Sequence, residues 1–235
     1  MPKLTPISRE LGKRVAKLEF SAPTAFVYNP LDYARRANEA YLERYGEQRG
    51  RVLLLGMNPG PFGMAQTGVP FGDVKMVREF LGIEAKVGKP SLEHPARPVL
   101  GFDCPRSEVS GTRLWGWAQK RFGKADKFFE RFFVWNYCPL VFIEASGKNR
   151  TPDKLPRSEQ QELFAACDHA LSEMTRLLEP KLVIGVGGFA ESAARRALDG
   201  RGIAIGTILH PSPANPRANA GWAEIVESQL AALGV

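Results

Sequence analysis

Runs of almost purely apolar residues alternate with amphipathic stretches along this chain, and the alternation predicts its elements. Residues 52–57, 132–136, 181–185 and 203–209 read as four strands. The first is nearly all apolar, as a strand covered on both faces must be. Residues 33–45, 73–81, 111–122, 158–178, 189–198 and 222–233 carry the helical period, with Leu114, Trp115 and Ala118 on one side of the third helix. Asp73 is placed to cap the second helix. Ser158 and Gln161 have the spacing of a capping box, and Pro180 lies just past the end of that helix. The stretch 86–109, with its four prolines, reads as a surface loop.

Strands that alternate with helices imply an α/β fold with a mainly parallel sheet. No repeat, low-complexity tract or long linker divides the chain, so residues 1–235 read as one domain. Three of the four strands run directly into segments rich in Asn, Pro or His: Asn58-Pro59, Asn136-Tyr137-Cys138-Pro139 and His210-Pro211-Ser212-Pro213. In a parallel sheet these segments gather at one edge, where open α/β folds bind their ligands.

The segment 56–72, GMNPGPFGMAQTGVPFG, is the most unusual stretch. Its glycines and prolines forbid a long helix or a strand extension, yet it is too apolar for a solvated linker. A rigid loop of this kind, with Asn58 at its turn and Phe71 near its close, suits a small flat molecule.

Composition narrows the setting. Hydrophobic residues make up 44% of the 235, enough for a full core. The formal charge of +7 fits a polyanionic partner such as nucleic acid; it also fits a soluble protein with no such partner. Basic pairs stand at Arg35-Arg36, Lys120-Arg121 and Arg195-Arg196. Cys104, Cys138 and Cys167 are odd in number and widely spaced, which argues against a disulfide framework or a structural zinc site and fits a reducing, intracellular compartment. No signal peptide or membrane span is expected.

Several constellations read as structural. The segment 185–190 matches the GxGxxA dinucleotide pattern, but the next strand ends in Thr207-Ile208-Leu209-His210, without the acidic residue that a ribose requires. These glycines are expected to let a helix pack closely on the sheet. His94 is expected to be exposed and His169 half-buried. No spacing of His, Cys, Asp or Glu suggests a metal, and no elbow motif presents a nucleophilic Ser or Cys, so no metal and no cofactor is expected. His210 differs, because it ends an apolar strand and is followed by prolines that fix its backbone. Asn136 could satisfy a turn; alternatively its amide, an acceptor beside a donor, complements the pairing edge of uracil and mismatches that of cytosine.

Taken together, GMNPGPFGMAQTGVPFG (56–72), Asn136-Tyr137-Cys138-Pro139-Leu140 and HPSPANPRANAGW (210–222) resemble the single-strand-selective monofunctional uracil-DNA glycosylases of the uracil-DNA glycosylase superfamily, from about residue 18 to 233. The resemblance implies a three-layer α/β/α fold around a four-stranded sheet, and a DNA repair enzyme that removes uracil and C5-oxidised uracils. It further implies that Asn58 positions the hydrolytic water, Phe71 stacks on the extruded base, Asn136 reads its edge, and His210 stabilises the departing base. Met57 and Gly60 would line the side near ring carbon five, and Ser212, Pro213, Ala214, Asn215 and Arg217 would contact DNA. One position departs from the family pattern: Ala214 stands where animal members carry a basic residue, and Arg217 is placed to compensate.

Asn58 is neutral and can orient water but cannot deprotonate it. The chemistry therefore has to be dissociative, with the base leaving as an anion and His210 donating to it, as a neutral imidazole or as a cation. The expected partner is uracil-containing DNA and the expected state a monomer, cytoplasmic in a bacterium or nuclear in a eukaryote. Two other functions fit parts of the sequence: a non-catalytic binder of damaged or single-stranded DNA, and a nucleotide-dependent enzyme using the 185–190 glycines.

Overall fold

The computed structural model describes residues 3–235. Helix α1 (Thr5–Val15) leads to strand β1 (Thr24–Tyr28), and α2 (Pro30–Tyr33) and α3 (Arg35–Tyr45) precede β2 (Val52–Gly56). The loop that follows contains α4 (Met64–Thr67) and α5 (Val74–Glu79). Next come α6 (Val109–Phe122), α7 (Ala125–Phe129), β3 (Phe132–Asn136), β4 (Val141–Glu144) and β5 (Asn149–Arg150). The chain closes with α8 (Arg157–Leu178), β6 (Leu182–Val186), α9 (Gly188–Ala197), β7 (Ala204–Ile208), α10 (Pro216–Asn219) and α11 (Trp222–Ala232).

The main sheet has the order β3-β2-β6-β7 and is parallel throughout. Its layers follow from strand alternation. Gly185 and Gly206 occupy alternate rungs, because Ile184 pairs with Gly206 and Gly185 with Thr207. A Cβ at Gly185 would run into the backbone of Ala190 and Glu191 in α9, whereas one at Gly206 would lie 2.7 Å from Leu233, just past α11. Helices α9 and α11 therefore cover opposite faces. Tyr41 of α3 stacks on Phe133 on the α9 side, and Trp117 of α6 meets Phe132 and Trp222 on the other. This is the three-layer arrangement. The glycines of 185–190 pack helix on strand, as their sequence context suggests.

Asp73 caps α5 as expected: its carboxylate accepts from the Met76 amide at 3.2 Å. Four expectations are corrected. The helix expected at 33–45 is α3, but it begins only at Arg35: Tyr33 closes α2, and the chain breaks between them at Ala34 (φ −104°, ψ 20°). Ser158 lies inside α8 rather than capping it. The cap is Pro156, and Gln160 reaches back to the Leu155 and Asp153 carbonyls at 2.8 and 3.2 Å. His94 is buried: its Nδ1 accepts from the Ala96 amide at 3.0 Å, so Nε2–H donates to Ala145 O at 3.1 Å. His169 points to solvent. A second, antiparallel sheet of order β1-β4-β5 and the helix α1 were not legible from periodicity.

The close contact of α9 with β6 gives a direct check. Gly185→Ala is expected to destabilise the fold by about 1–3 kcal/mol, since the methyl group has only helix backbone to displace. Urea unfolding measures it; an unchanged midpoint would show that α9 rides further from the sheet.

Candidate active site

The carboxyl ends of β2, β3 and β7 carry the residues singled out in the sequence. Register does the first part of the work, since Gly56 is paired with Asn136. The Tyr137 and Cys138 amides then donate to the Gly56 and Met57 carbonyls, both at 2.9 Å, which carries the pairing past the strand ends. A Cβ at Gly56 would lie 2.7 Å from Phe71 Cε2 and would overlap Asn136 Oδ1. The missing side chain is what lets the amide and the aromatic ring meet.

Asn136 is buried, and its Nδ2 donates to Met64 Sδ at 3.2 Å. A thioether sulfur only accepts, so this contact sets which way the amide faces. Phe71 holds a left-handed backbone (φ 52°), which costs a residue with a Cβ about 1–3 kcal/mol. Its surroundings enforce the conformation: its carbonyl accepts from the Asp73 amide at 2.8 Å, Trp115 Nε1 donates to Pro70 O at 3.3 Å, and Gly111 of α6 leaves no room for a Cβ against the Phe71 carbonyl.

Asn58 Nδ2 donates to Leu140 O at 3.1 Å, which anchors the amide across to the chain leaving β3. Oδ1 has no hydrogen-bond partner among the described residues and is free to accept. His210 lies beyond β7 with its ring centroid 6.1 Å from that of Phe71. Gly187 (φ 93°) abuts the His210 Cβ, at 3.1 Å from where its own Cβ would be. On the other side α11 holds the chain, as Gln229 Oε1 accepts from the Leu209 amide and Trp222 Nε1 donates to Leu209 O, each at 2.8 Å.

The His210 ring nitrogens are distinguished by their surroundings. Nδ1 accepts from the Ser212 amide at 3.1 Å, so the neutral ring carries its proton on Nε2. Burial pushes the pKa down from 6.5 to about 4, because desolvation penalises the imidazolium. At ordinary pH the ring is therefore neutral, with its proton on Nε2.

The 210–222 loop is ordered by its own side chains. Ser212 Oγ accepts from the Ala214 amide, and Asn215 Oδ1 caps α10 through the Arg217 amide. Pro213, Ala214 and Arg217 stand exposed at its tip. Gly60 receives the Gly63 and Ala65 amides on its carbonyl, which curls the loop after Asn58 into α4.

Sequence reasoning missed several supports. Glu108 caps α6 through the Gly111 amide at 2.7 Å and packs beneath Gly60 and Gly63. Burial pushes its pKa up. Arg113 donates to Pro211 O at 3.0 Å and to Asn219 Oδ1 at 2.8 Å, which ties the His210 loop to α6. The fully buried Gln66 donates to the Pro61 and Pro98 carbonyls and accepts from the Leu100 and Gly101 amides. Glu108-x-x-Gly111 ahead of an apolar helical run was the one readable signal. Among the described residues, no cluster of His, Cys, Asp and Glu could hold a metal, and no helix is long and apolar enough to cross a membrane.

Comparison with known proteins places the chain in a family. Residues 43–227 match the family model of the uracil DNA glycosylase superfamily. The chain is 48% identical over 227 residues to the single-strand selective monofunctional uracil-DNA glycosylase of Rattus norvegicus, covering 96% of this chain and 82% of that one. The proteins of the same name from Mus musculus and Bos taurus are each 47% identical, with 81% and 84% of their lengths covered. The crystal structure of wild-type Pedobacter heparinus SMUG2 superposes with a TM-score of 0.67 at 20% identity, covering 97% of both chains; it is similar in fold.

The tautomer of His210 can be observed directly. Nitrogen NMR is expected to show Nε2 protonated and Nδ1 bare from pH 8 to about 5, with titration near 4. The sign for stability follows: the folded value lies below the unfolded one, so the contribution is present above 6.5 and is lost as pH falls from there toward 4. Titration near 6.5 would show that the ring is solvated.

Proposed function

Because the chain belongs to the uracil DNA glycosylase superfamily, we propose that it is a monofunctional glycosylase that hydrolyses the N-glycosidic bond of uracil, and of C5-oxidised uracils, in DNA and leaves an abasic site. The observation that carries this reading is the gathering of a neutral imidazole, two oriented amides and an aromatic ring at the carboxyl edge of one parallel sheet.

The base has to leave the helical stack to reach such a site. Phe71 replaces part of the lost stacking, worth about 1–3 kcal/mol per base. Asn136, turned by Met64, keeps one N–H and its carbonyl for the O4 and N3–H of uracil. Cytosine offers the opposite polarity there and would leave those groups unpaired, a penalty that can reach about 10⁴ in selectivity. Gly60 and Met57 border ring carbon five.

The bond from C1′ to N1 breaks heterolytically, and its electron pair leaves with the base. Negative charge develops on the ring oxygens, where His210 Nε2–H donates; one such donor is worth about 10²–10³ in rate. Since the ring is already neutral and desolvated, its N–H needs no prior proton uptake. Asn58 spends Nδ2 on Leu140 and offers Oδ1 to a water, which adds to C1′ as the cation forms and sheds its proton to the uracil anion or to solvent. No lysine takes part, so no Schiff base forms and the strand stays intact. The tip of the 210–222 loop, with Ser212, Pro213, Ala214, Asn215 and Arg217, faces the DNA backbone. The protein acts as a monomer without cofactor, in a reducing compartment that keeps the three buried cysteines free.

Incubation with a uracil-containing oligonucleotide followed by alkali is expected to break the strand at uracil. Asn58→Ala should lower the excision rate by about 10²-fold or more while DNA binding persists. Binding without any breakage would mark a non-catalytic binder.

The protonation of His210 predicts the pH profile. Excision should stay level from pH 8 to about 5 and fall only toward 4, where a proton on Nδ1 would face the Ser212 amide and spread the loop. A rate that climbs as pH drops through 7 would instead mean that the cation is the active form.

A further inference from the structure

The basic pairs that stand out in the sequence are largely neutralised. Arg35, Arg121, Arg195 and Arg196 each lie within ion-pair distance of a carboxylate: Asp32, Glu227, Glu191 and Asp168 respectively. Arg97 and Arg106 are different. Both guanidinium groups lie over the ring of Phe62, Arg97 at 5.4 Å and Arg106 at 3.9 Å from its centroid, and neither has a carboxylate partner among the described residues.

Two like charges gathered on one ring without a counter-ion repel each other, so the arrangement needs a scaffold to hold it. Gln66 supplies one: its amide ties the Pro61 carbonyl to the Pro98 carbonyl, and so fixes Phe62 beside Arg97. Tyr28 adds a second brace by donating to the Arg97 carbonyl at 2.9 Å. Arg97 spends one N–H of Nη1 on the Ala96 carbonyl at 2.9 Å, whereas the Arg106 guanidinium has no hydrogen-bond partner among the described residues; the N–H groups left over suit contact with a phosphate.

The cluster is continuous with the site. Phe62 stands four residues after Asn58 on the same loop. The segment 106–113 runs from Arg106, past Glu108 under Gly60 and Gly63, to Arg113, which holds Pro211. The two unpaired arginines and the exposed Arg217 thus belong to loops that are bonded to one another around the site.

We propose that Phe62, Arg97 and Arg106 form a second DNA subsite, which grips the phosphodiester backbone of a single strand beside the extruded nucleotide. The subsite rests on the reading of this protein as a DNA glycosylase. It gives the chain a hold on unpaired DNA that does not depend on a long side chain at position 214, where Ala214 has none to insert into a duplex.

The test is binding of a fluorescein-labelled, uracil-free single strand, followed by anisotropy between about 50 and about 200 mM salt. Arg97→Gln with Arg106→Gln should weaken binding several-fold and lower the slope of log K against log salt by about 0.7 for each lost phosphate contact, or about 1.4 for the pair. Lys13→Gln with Lys17→Gln removes the same formal charge from the exposed surface around the end of α1 and should leave that slope nearly unchanged. Arg106→Lys should keep most of the slope that Arg106→Gln loses. An unchanged slope in the arginine variant, or an equal loss in the lysine variant, overturns the subsite. Alkali cleavage by the wild-type protein runs alongside: wild-type cleavage with an unchanged slope rejects the subsite alone, whereas absence of wild-type cleavage rejects the glycosylase reading on which it rests.

Discussion

The candidate site depends on one constraint, the register of β2 against β3 with no side chain at its last rung. Gly56 faces Asn136 across the pair, and the volume a Cβ would fill is taken by the Asn136 carbonyl oxygen and the Phe71 ring. Slipping a parallel pair by one residue would turn Asn136 to the opposite face of the sheet. The register is therefore over-determined. Leu53, Leu54 and Leu55 are fully buried between helical layers, the Tyr41 hydroxyl donates to Val134 O, and the Tyr137 and Cys138 amides extend the ladder beyond the strands. Tyr137 is held in turn by Asp168 and Arg196, with its hydroxyl 2.7 Å from each. A precise polar edge sits on a rigid apolar base.

In the proposed reading, that base also explains how a neutral site would act on a charged reaction. Burial lowers the His210 pKa and so removes the imidazolium, which at first sight weakens the stabilisation of an anion. But a dipole already fixed in place pays little reorganisation as charge develops. The Ser212 amide completes the arrangement by occupying Nδ1, so that Nε2–H is the ring's one donor. Asn58 is fixed by the same logic, one half of its amide being held by a carbonyl so that the other half is an acceptor. In both residues the backbone, a donor in one case and an acceptor in the other, decides which polar atom remains for the substrate.

The parts legible in the sequence were those written in local chemistry. The four apolar runs became the parallel sheet because strands buried on both faces have no polar period to confuse them. Asn58, Asn136 and His210 were visible because each ends such a run, and a parallel sheet leaves those ends little choice but to converge. Other features depend on partners distant in the chain. His94 stands in a proline-rich segment that looks solvated, yet its ring packs edge-on against Phe26 and bonds to Ala145. Ser158 had the spacing of a capping box, but the helix begins one residue earlier, behind Pro156. Strands β4 and β5 are four and two residues long, below the length at which alternation can be read. Gln66 and Arg113 act through side-chain bonds to backbone carbonyls tens of residues away, a relation that no local pattern encodes.

Charge is distributed by the same separation of roles. In the proposed reading the groups that face the base are amides, an aromatic ring and a neutral imidazole, and the guanidinium groups of Arg97, Arg106 and Arg217 would stand outside. A cation brought close to the uracil edge would stabilise the departing anion but would also attract any phosphate, and so would favour binding without extrusion. Placed on the rim, the same charge would attract the backbone in a way that salt screens and would leave discrimination to the oriented amide. With only a methyl group at Ala214, the loop after His210 has little to push into a duplex and little to fill the gap an extruded base leaves. In the proposed reading grip would come from the backbone contacts at the rim, which are easiest to satisfy on a strand that is already unpaired.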